Sequence, residues 1–438
     1  MISTSHVPGR DWLLPVAGFA GYTLWLTAVP LKGPLLGALG DTSALLAFLV
    51  PHTVALVLLA WRRSWAGDSS QAAGIVLTAM LGAALPFVGS WARALLPGLG
   101  VAAALALLRA GALLKCAPNI GLAAAFGLVA GNITFLLLLQ LPLPTWAMLS
   151  VVTTPLVLLL GGRPPRSSQG DNAYSAYLPF IGVFYLAKGL RYDMLHAQLS
   201  DYAAAGLPPG VDLLCYVAAV FGAWWLFTKD ADYPLAAGVI LGLAALLLSF
   251  MDSRVGLLLG MGTMHLSAGA VDIFVVAYLL SFSDHVRAFG FGAAVMCAGI
   301  AGGELIGAHL DSTDALLVMF GNTALTVAVL LLYFLGRKAA RTHQEQPGTA
   351  EAPSVPAGQN TSPDARAECG IEVPAPLRAR LSMQELAVLE RVLAGCQYKR
   401  VALELGISES SVKTYMRRVY EKAEVPGRSA LLEKLQPS

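Results

Sequence analysis

Charge is what this chain has least of. Only 13% of its 438 residues are Asp, Glu, Lys or Arg, against 56% hydrophobic residues. That balance excludes an ordinary soluble globular protein, in which about a quarter of residues are charged. Cysteine is scarce too. Cys116, Cys215, Cys297, Cys369 and Cys396 show neither Cys-x-x-Cys nor Cys/His spacing, so a disulfide framework or a zinc site has no support. No Ser/His/Asp or Cys/His constellation stands in a polar stretch, and the glycine runs "GMG" and "AGIAGG" lack the Lys-Ser/Thr of a phosphate loop. An enzyme reading has nothing to stand on, and no cofactor or metal is expected. The glycine runs fit close packing of helices instead.

What the chain does have is apolar length. Segments of about 20 residues, enough to cross a bilayer, start near Trp12, Thr42, Ala72, Ala94, Ile120 and Thr145. After the polar break "GRPPRSSQGDN", others start near Tyr174, Val211, Tyr233, Val255, Arg287 and Ala315. The expectation is an all-α, polytopic membrane helix bundle of about twelve spans over residues 1–343, with halves at 12–161 and 174–336. His6, Arg10 and Asp11 precede the first apolar run without a following small-residue cleavage site, so that segment is expected to be retained. With the N-terminus inside, the inner loops hold most of the bases, Arg62, Arg63, Arg109, Lys115, Arg163 and Arg166 among them, and the outer ones only Lys32, Arg93, Arg191 and Arg254. The positive-inside rule then puts both termini on the cytoplasmic side of the membrane.

Composition changes at Gln344. Residues 344–376 are rich in Pro, Ala, Ser and Gly, as in a disordered tether, and such a coil spans roughly 30 to 35 Å end to end. From Leu377 onward eleven bases face seven acids. Ser382 and Glu385 have capping-box spacing, with Leu381 and Leu386 placed as its staple. A helix is expected from about Ser382 to Gly395, a short one from Tyr398 to Leu405, a turn at Gly406, and then the basic helix "ISESSVKTYMRRVYEK" with Ser408 as N-cap. Its apolar stripe, Val412, Tyr415, Met416, Val419 and Ala423, faces a small core. Lys413, Thr414, Arg417 and Arg418 lie opposite. Helix, turn, helix places the second member in a major groove.

These residues resemble the LuxR-type helix-turn-helix domains of bacterial transcription regulators. The resemblance rests on Leu381, Ser382, Glu385, Gly395, Val401, Ala402, Ser408, Val412, Lys413, Lys422, Val425 and Arg428. Gln384, Ser411, Tyr415 and the pair Ala423-Glu424 depart from the family's usual Arg, Thr, His and Leu-Gly. The resemblance implies a four-helix domain at 377–438 that binds double-stranded DNA as a homodimer. It implies that Lys413, Thr414 and Arg417 face base edges while Ser411, Lys399, Arg418 and Lys422 meet the backbone. The twelve spans and central loop resemble, more weakly, the major facilitator transporters. The loop "WRRSWAGDSS" between spans two and three lacks that family's Gly-x-x-x-Asp-Arg-x-Gly-Arg-Arg, which lowers the expectation of vectorial transport.

Ionisable residues inside spans cost about 2.5 to 3.5 kcal/mol each on insertion scales, so each needs a partner or a task. His265 and Asp272, seven apart in the tenth span, share a helix face. Glu304 lies in the glycine-rich eleventh, and Lys188 and Arg191 at the end of the seventh. Together they suggest a polar cavity for a small-molecule inducer. The competing expectation is that Lys188 and Arg191 snorkel to the interface while Asp272 and Glu304 pair. His52, Asn132, Gln140 and Asn322 are expected to be structural hydrogen-bonding groups. The function that follows is a one-component membrane sensor that binds DNA. The rival is a transporter with a regulatory tail.

Overall fold

A computed structural model describes residues 10–31, 42–162, 164–165, 167, 173–190, 210, 212–227, 232–248, 254–309 and 314–344. Nearer the C-terminus it describes 374, 377–378, 381, 383–393, 398, 401, 409–423, 425 and 428–435. The chain divides into two compact units, Met1–Gly348 and Thr349–Ser438.

The first unit is built of helices joined by short turns, with no strand among its described residues. In order these are α1 Arg10–Leu26, α2 Thr42–Trp61, α3 Asp68–Ala84, α4 Ala92–Leu114, α5 Ile120–Leu139, α6 Thr145–Thr153, α7 Leu178–Gly189, α8 Leu213–Phe227, α9 Asp232–Leu248, α10 Arg254–Ser281, α11 His285–His309 and α12 Asp314–Gln344. Each expected start falls within about one helical turn of one of these. Seven stretches are long and apolar enough to cross a membrane, and four more apolar helices are shorter. Length is lost where sequence bends the backbone. Pro155 follows α6, whose axis continues as a 3₁₀ segment, Thr154–Leu160; α1 passes into a π-turn, Thr27–Leu31, that contains Pro30. The clearest start is at α5, where the Asn119 side chain accepts from the Leu122 amide at 2.9 Å.

Large apolar side chains occur both inside and outside the bundle. Tyr22, Trp25, Phe48, Phe135, Phe180 and Phe274 are almost fully enclosed, whereas Met80, Ile240, Leu247 and Phe334 stand exposed on the outside. Large apolar groups on both faces are what a helix between core and lipid requires. The expected role of the "AGIAGG" run holds. A Cβ on Gly303 would lie 2.2 Å from the Leu186 carbonyl oxygen, and one on Gly299 2.6 Å from that of Gly182. Only glycine lets α7 and α11 approach this closely.

The second unit contains α13 Met383–Leu393, α14 Glu409–Ala423 and α15 Arg428–Leu435. Val388, Leu389, Val412, Met416, Val419 and Leu431 form its core. The apolar stripe expected of the basic helix is buried, with Tyr415 packed at its margin. Ser382, Gly395, Gly406 and Ser408, most of the expected short helix at 398–405 and nearly all of the tether lie outside the described residues.

Candidate functional sites: a cavity in the bundle and a basic helix

A cavity of about 200 Å³ lies among α1, α5, α7, α8, α10 and α11. Its walls are mainly apolar, including Phe19, Leu26, Phe289, Met296 and Ile300, and three of its polar side chains, Tyr185, Lys188 and Tyr216, converge on Asp272. Asp272 Oδ1 accepts from the Tyr185 hydroxyl and lies 3.5 Å from Lys188 Nζ; Oδ2 accepts from the Tyr216 hydroxyl at 3.0 Å. Lys188 also lies over the Tyr185 ring, 5.1 Å from its centroid. Three elements, α7, α8 and α10, thus meet at one carboxylate.

One turn-pair earlier on α10, His265 is nearly closed off. Its Nε2 lies 3.0 Å from Asp212 Oδ2, immediately before α8, and its Nδ1 lies 3.1 Å from the Met261 carbonyl oxygen. The shared face expected for His265 and Asp272 is real, because both line the cavity. Glu304 is buried on α11 and is not among the cavity-lining residues. Lys188 does not snorkel as the competing expectation had it; its ammonium turns to Asp272. Arg191 lies outside the described residues.

The sequence reading missed Tyr22, Tyr185, Tyr216 and Asp212. Tyrosines on apolar spans look like ordinary core or interface residues, and only the i, i+3 placement of Tyr185 and Lys188 hinted at a shared polar face. Among the expected structural groups, His52 bridges α2 to the Gly100 carbonyl oxygen at 2.8 Å, while Asn132 and Gln140 bond within their own helix, to Leu128 and Leu136. Asn132 also lines the cavity.

The loop that lacks the transporter motif is nevertheless tied down. Arg63 pairs at 3.0 Å with Asp284, which directly precedes α11 and also accepts from Ser167 at 2.8 Å. Asp68 pairs with Arg109, whose guanidinium further donates to the Leu159 and Gly162 carbonyls at 3.1 and 3.0 Å. Lys115 donates to the Leu280 and Phe282 carbonyls. Two basic residues of the first half therefore reach the segment joining α10 to α11 in the second. No group of three or more potential metal ligands occurs among the described residues.

On α14, Lys413, Thr414, Arg417 and Arg418 are exposed on the side opposite the buried stripe. Arg417 lies 3.7 Å from Glu421 one turn on, with both side chains mostly exposed, a contact of small energetic weight. Lys422 is placed otherwise: its Nζ donates to Glu385 Oε2 at 2.6 Å, and that carboxylate is only 4% exposed. The pair bolts α14 to α13, a role the 37-residue separation hid. Lys434 donates to the Ala423 carbonyl at 2.8 Å, satisfying the C-terminal end of the same helix. The Ser411 side chain and Lys399 lie outside the described residues.

Residues 379–434 match the family model for bacterial regulatory proteins of the luxR family. No curated protein sequence matches the chain. Among solved structures, the chain is similar to the Escherichia coli fucose:proton symporter FucP, at TM-score 0.55 and 14% identity, covering 74% of this chain and 99% of that one. A second structure of FucP, a major facilitator superfamily transporter in the outward conformation, gives TM-score 0.53 at 13% identity over the same shares. A bacterial homologue of the iron transporter ferroportin in an outward-facing state gives TM-score 0.52 at 16% identity, covering 76% of this chain and all of that one. The chain thus combines a membrane unit of major facilitator fold with a LuxR-type helix-turn-helix domain at residues 379–434.

Proposed function

We propose that this is a one-component transcription regulator embedded in the bacterial inner membrane by twelve spans in two sets of six, with both termini cytoplasmic. A small molecule in the bundle cavity biases how two DNA-binding units, each on its 344–376 tether, pair on a symmetric operator. The observation that carries this reading is the presence in one chain of a LuxR-type domain and of a cavity in which three polar side chains converge on Asp272. Asp272 reports occupancy because α7, α8 and α10 all contact it. Lys413, Thr414 and Arg417 read base edges, and Ser411, Lys399 and Arg418 hold phosphates.

The test is a transcriptional reporter driven by the operator that the full-length protein occupies in cells. Asp272→Asn and Ala293→Phe, the latter filling the cavity, should leave membrane insertion intact and make the reporter indifferent to inducer. A normal dose-response in both variants would refute the sensor. Transport with autoregulation is the second reading, favoured by the major facilitator fold and by Arg63–Asp284 bridging the two halves. Solute uptake by vesicles containing the protein separates the two.

A further inference from the structure

The chemistry of the ligand can be read from the cavity, on the premise that the cavity is the sensor site. Two ion pairs stand near each other on α10, and they differ in access. His265 and Asp212 keep 6% and 4% side-chain exposure; Lys188 and Asp272 keep 27% and 20%. The second pair is open to whatever enters.

Its two members are unequally committed. Asp272 does not depend on Lys188, since each carboxylate oxygen already accepts from a tyrosine hydroxyl, Tyr185 on one and Tyr216 on the other. A buried carboxylate with two such donors stays satisfied when a third leaves. Lys188 has three N–H donors and no acceptor, and its single contact to Asp272 spans 3.5 Å. The other polar groups of the wall are engaged elsewhere. The Tyr22 hydroxyl donates to the Ala103 carbonyl at 3.2 Å and the Asn132 amide to Leu128; His265 is held between Asp212 and Met261. What the cavity presents to a guest is an ammonium group, which is best met by an anionic acceptor, because a charge-assisted bond gains strength where water is excluded. A cationic guest faces the reverse. The one acidic residue of the described lining already accepts from two tyrosine hydroxyls and has Lys188 beside it.

We propose that the cavity takes a small organic monocarboxylate with an apolar body, and that its carboxylate replaces Asp272 as the partner of Lys188. The apolar body rests on walls such as Phe289 and Met296. The exchange leaves Asp272 held by its two tyrosines and removes one of the two α7 side chains, Lys188, that reach it.

Calorimetry on the purified full-length protein in nanodiscs, with benzoate, benzyl alcohol and benzylamine as probes of one shape, tests the charge rule. Benzoate should bind at least about tenfold more tightly than either, the advantage of a charged over a neutral acceptor. Lys188→Gln should erase that preference and Lys188→Arg should keep most of it. Asp272→Asn, which removes the internal competitor, should bind benzoate more tightly than the wild type. Thermal unfolding of each variant checks that it is folded. Benzylamine as the tightest probe, unchanged benzoate affinity in Lys188→Gln, or no benzoate binding to the wild type would each overturn the proposal. The reporter assay with Ala293→Phe keeps the premise separate: if that variant alters regulation while benzoate shows no preference, the ligand class falls and the sensor stands.

Discussion

The two units of this chain use charge in opposite ways. In the bundle, the described ionisable groups of the spans are few and sit in specific arrangements, Asp272 with two tyrosines and Lys188, His265 with Asp212. In the DNA-binding unit charge is plentiful and mostly exposed, and Glu385–Lys422 stands out because its carboxylate is buried. The difference is one of solvent. Lipid leaves an unpaired charge nothing to turn to, whereas water tolerates Lys413 or Arg418 pointing outward until a phosphate arrives. Removing a charge from the bundle therefore changes a structure; removing one from the exposed face of α14 changes an affinity.

The largest expected break in that contrast needs no charge at all. Gly303→Leu drives a side chain into the α7 backbone and should abolish a monodisperse, folded membrane unit in size-exclusion chromatography, while DNA binding by the same solubilised chain persists. Next comes the exception in the second unit. Lys422→Ala takes the ammonium away from the buried Glu385 carboxylate and should destabilise that unit by about 1 to 3 kcal/mol, less than the range for breaking a fully buried pair, because Lys422 itself is partly exposed. A thermal melt followed by circular dichroism of the helical signal provides the measurement, and a loss no larger than that of Arg417→Ala would show the pair to be ornamental. Lys413→Ala and Arg417→Ala sharpen the comparison from the other side: each should cost about 1 to 3 kcal/mol of discrimination between operator and random DNA with no change in the melt. The smallest effect belongs to Lys399→Ala and Arg418→Ala. Both should weaken operator and random DNA alike and lower the salt slope by about one unit, read from titrations at several salt concentrations. Equal loss of specificity from all four substitutions would dissolve the division into reading and holding residues.

How much was legible in sequence follows the same divide. Helix starts such as Thr42, Ile120 and Thr145 were readable to the residue, because Pro, Asn and the edges of apolar runs fix them locally. The buried stripe of α14 was readable from its three- and four-residue spacing. Half of the cavity was not. His265 and Asp272 were visible as costly residues on one face, but Tyr185 and Tyr216 carry no such cost, Asp212 stands immediately before α8, and all three come to α10 only through tertiary packing. For Lys188 the sequence left two expectations open, a cavity cation or an interfacial base near a helix end; depth in a bundle is set by neighbouring helices, which spacing along one helix does not encode. The same holds for Arg63 and Asp284, 221 positions apart in the numbering. A missing local motif did not mean a missing bridge.

The glycine contacts of α7 and α11 carry a mechanical consequence. With Gly299 and Gly303 set against the α7 backbone, and Gly189 against that of Ile300, the two helices lie backbone to backbone, with no side chain between them at these levels to absorb a displacement. Lys188 rides on one of them, and Asp284, gripped by Arg63, stands at the foot of the other. From the level of Ile300, beside Gly189, to Asp284 the helix rises roughly 24 Å, so the ammonium and the Arg63 bridge stand at opposite ends of one closely packed helix pair.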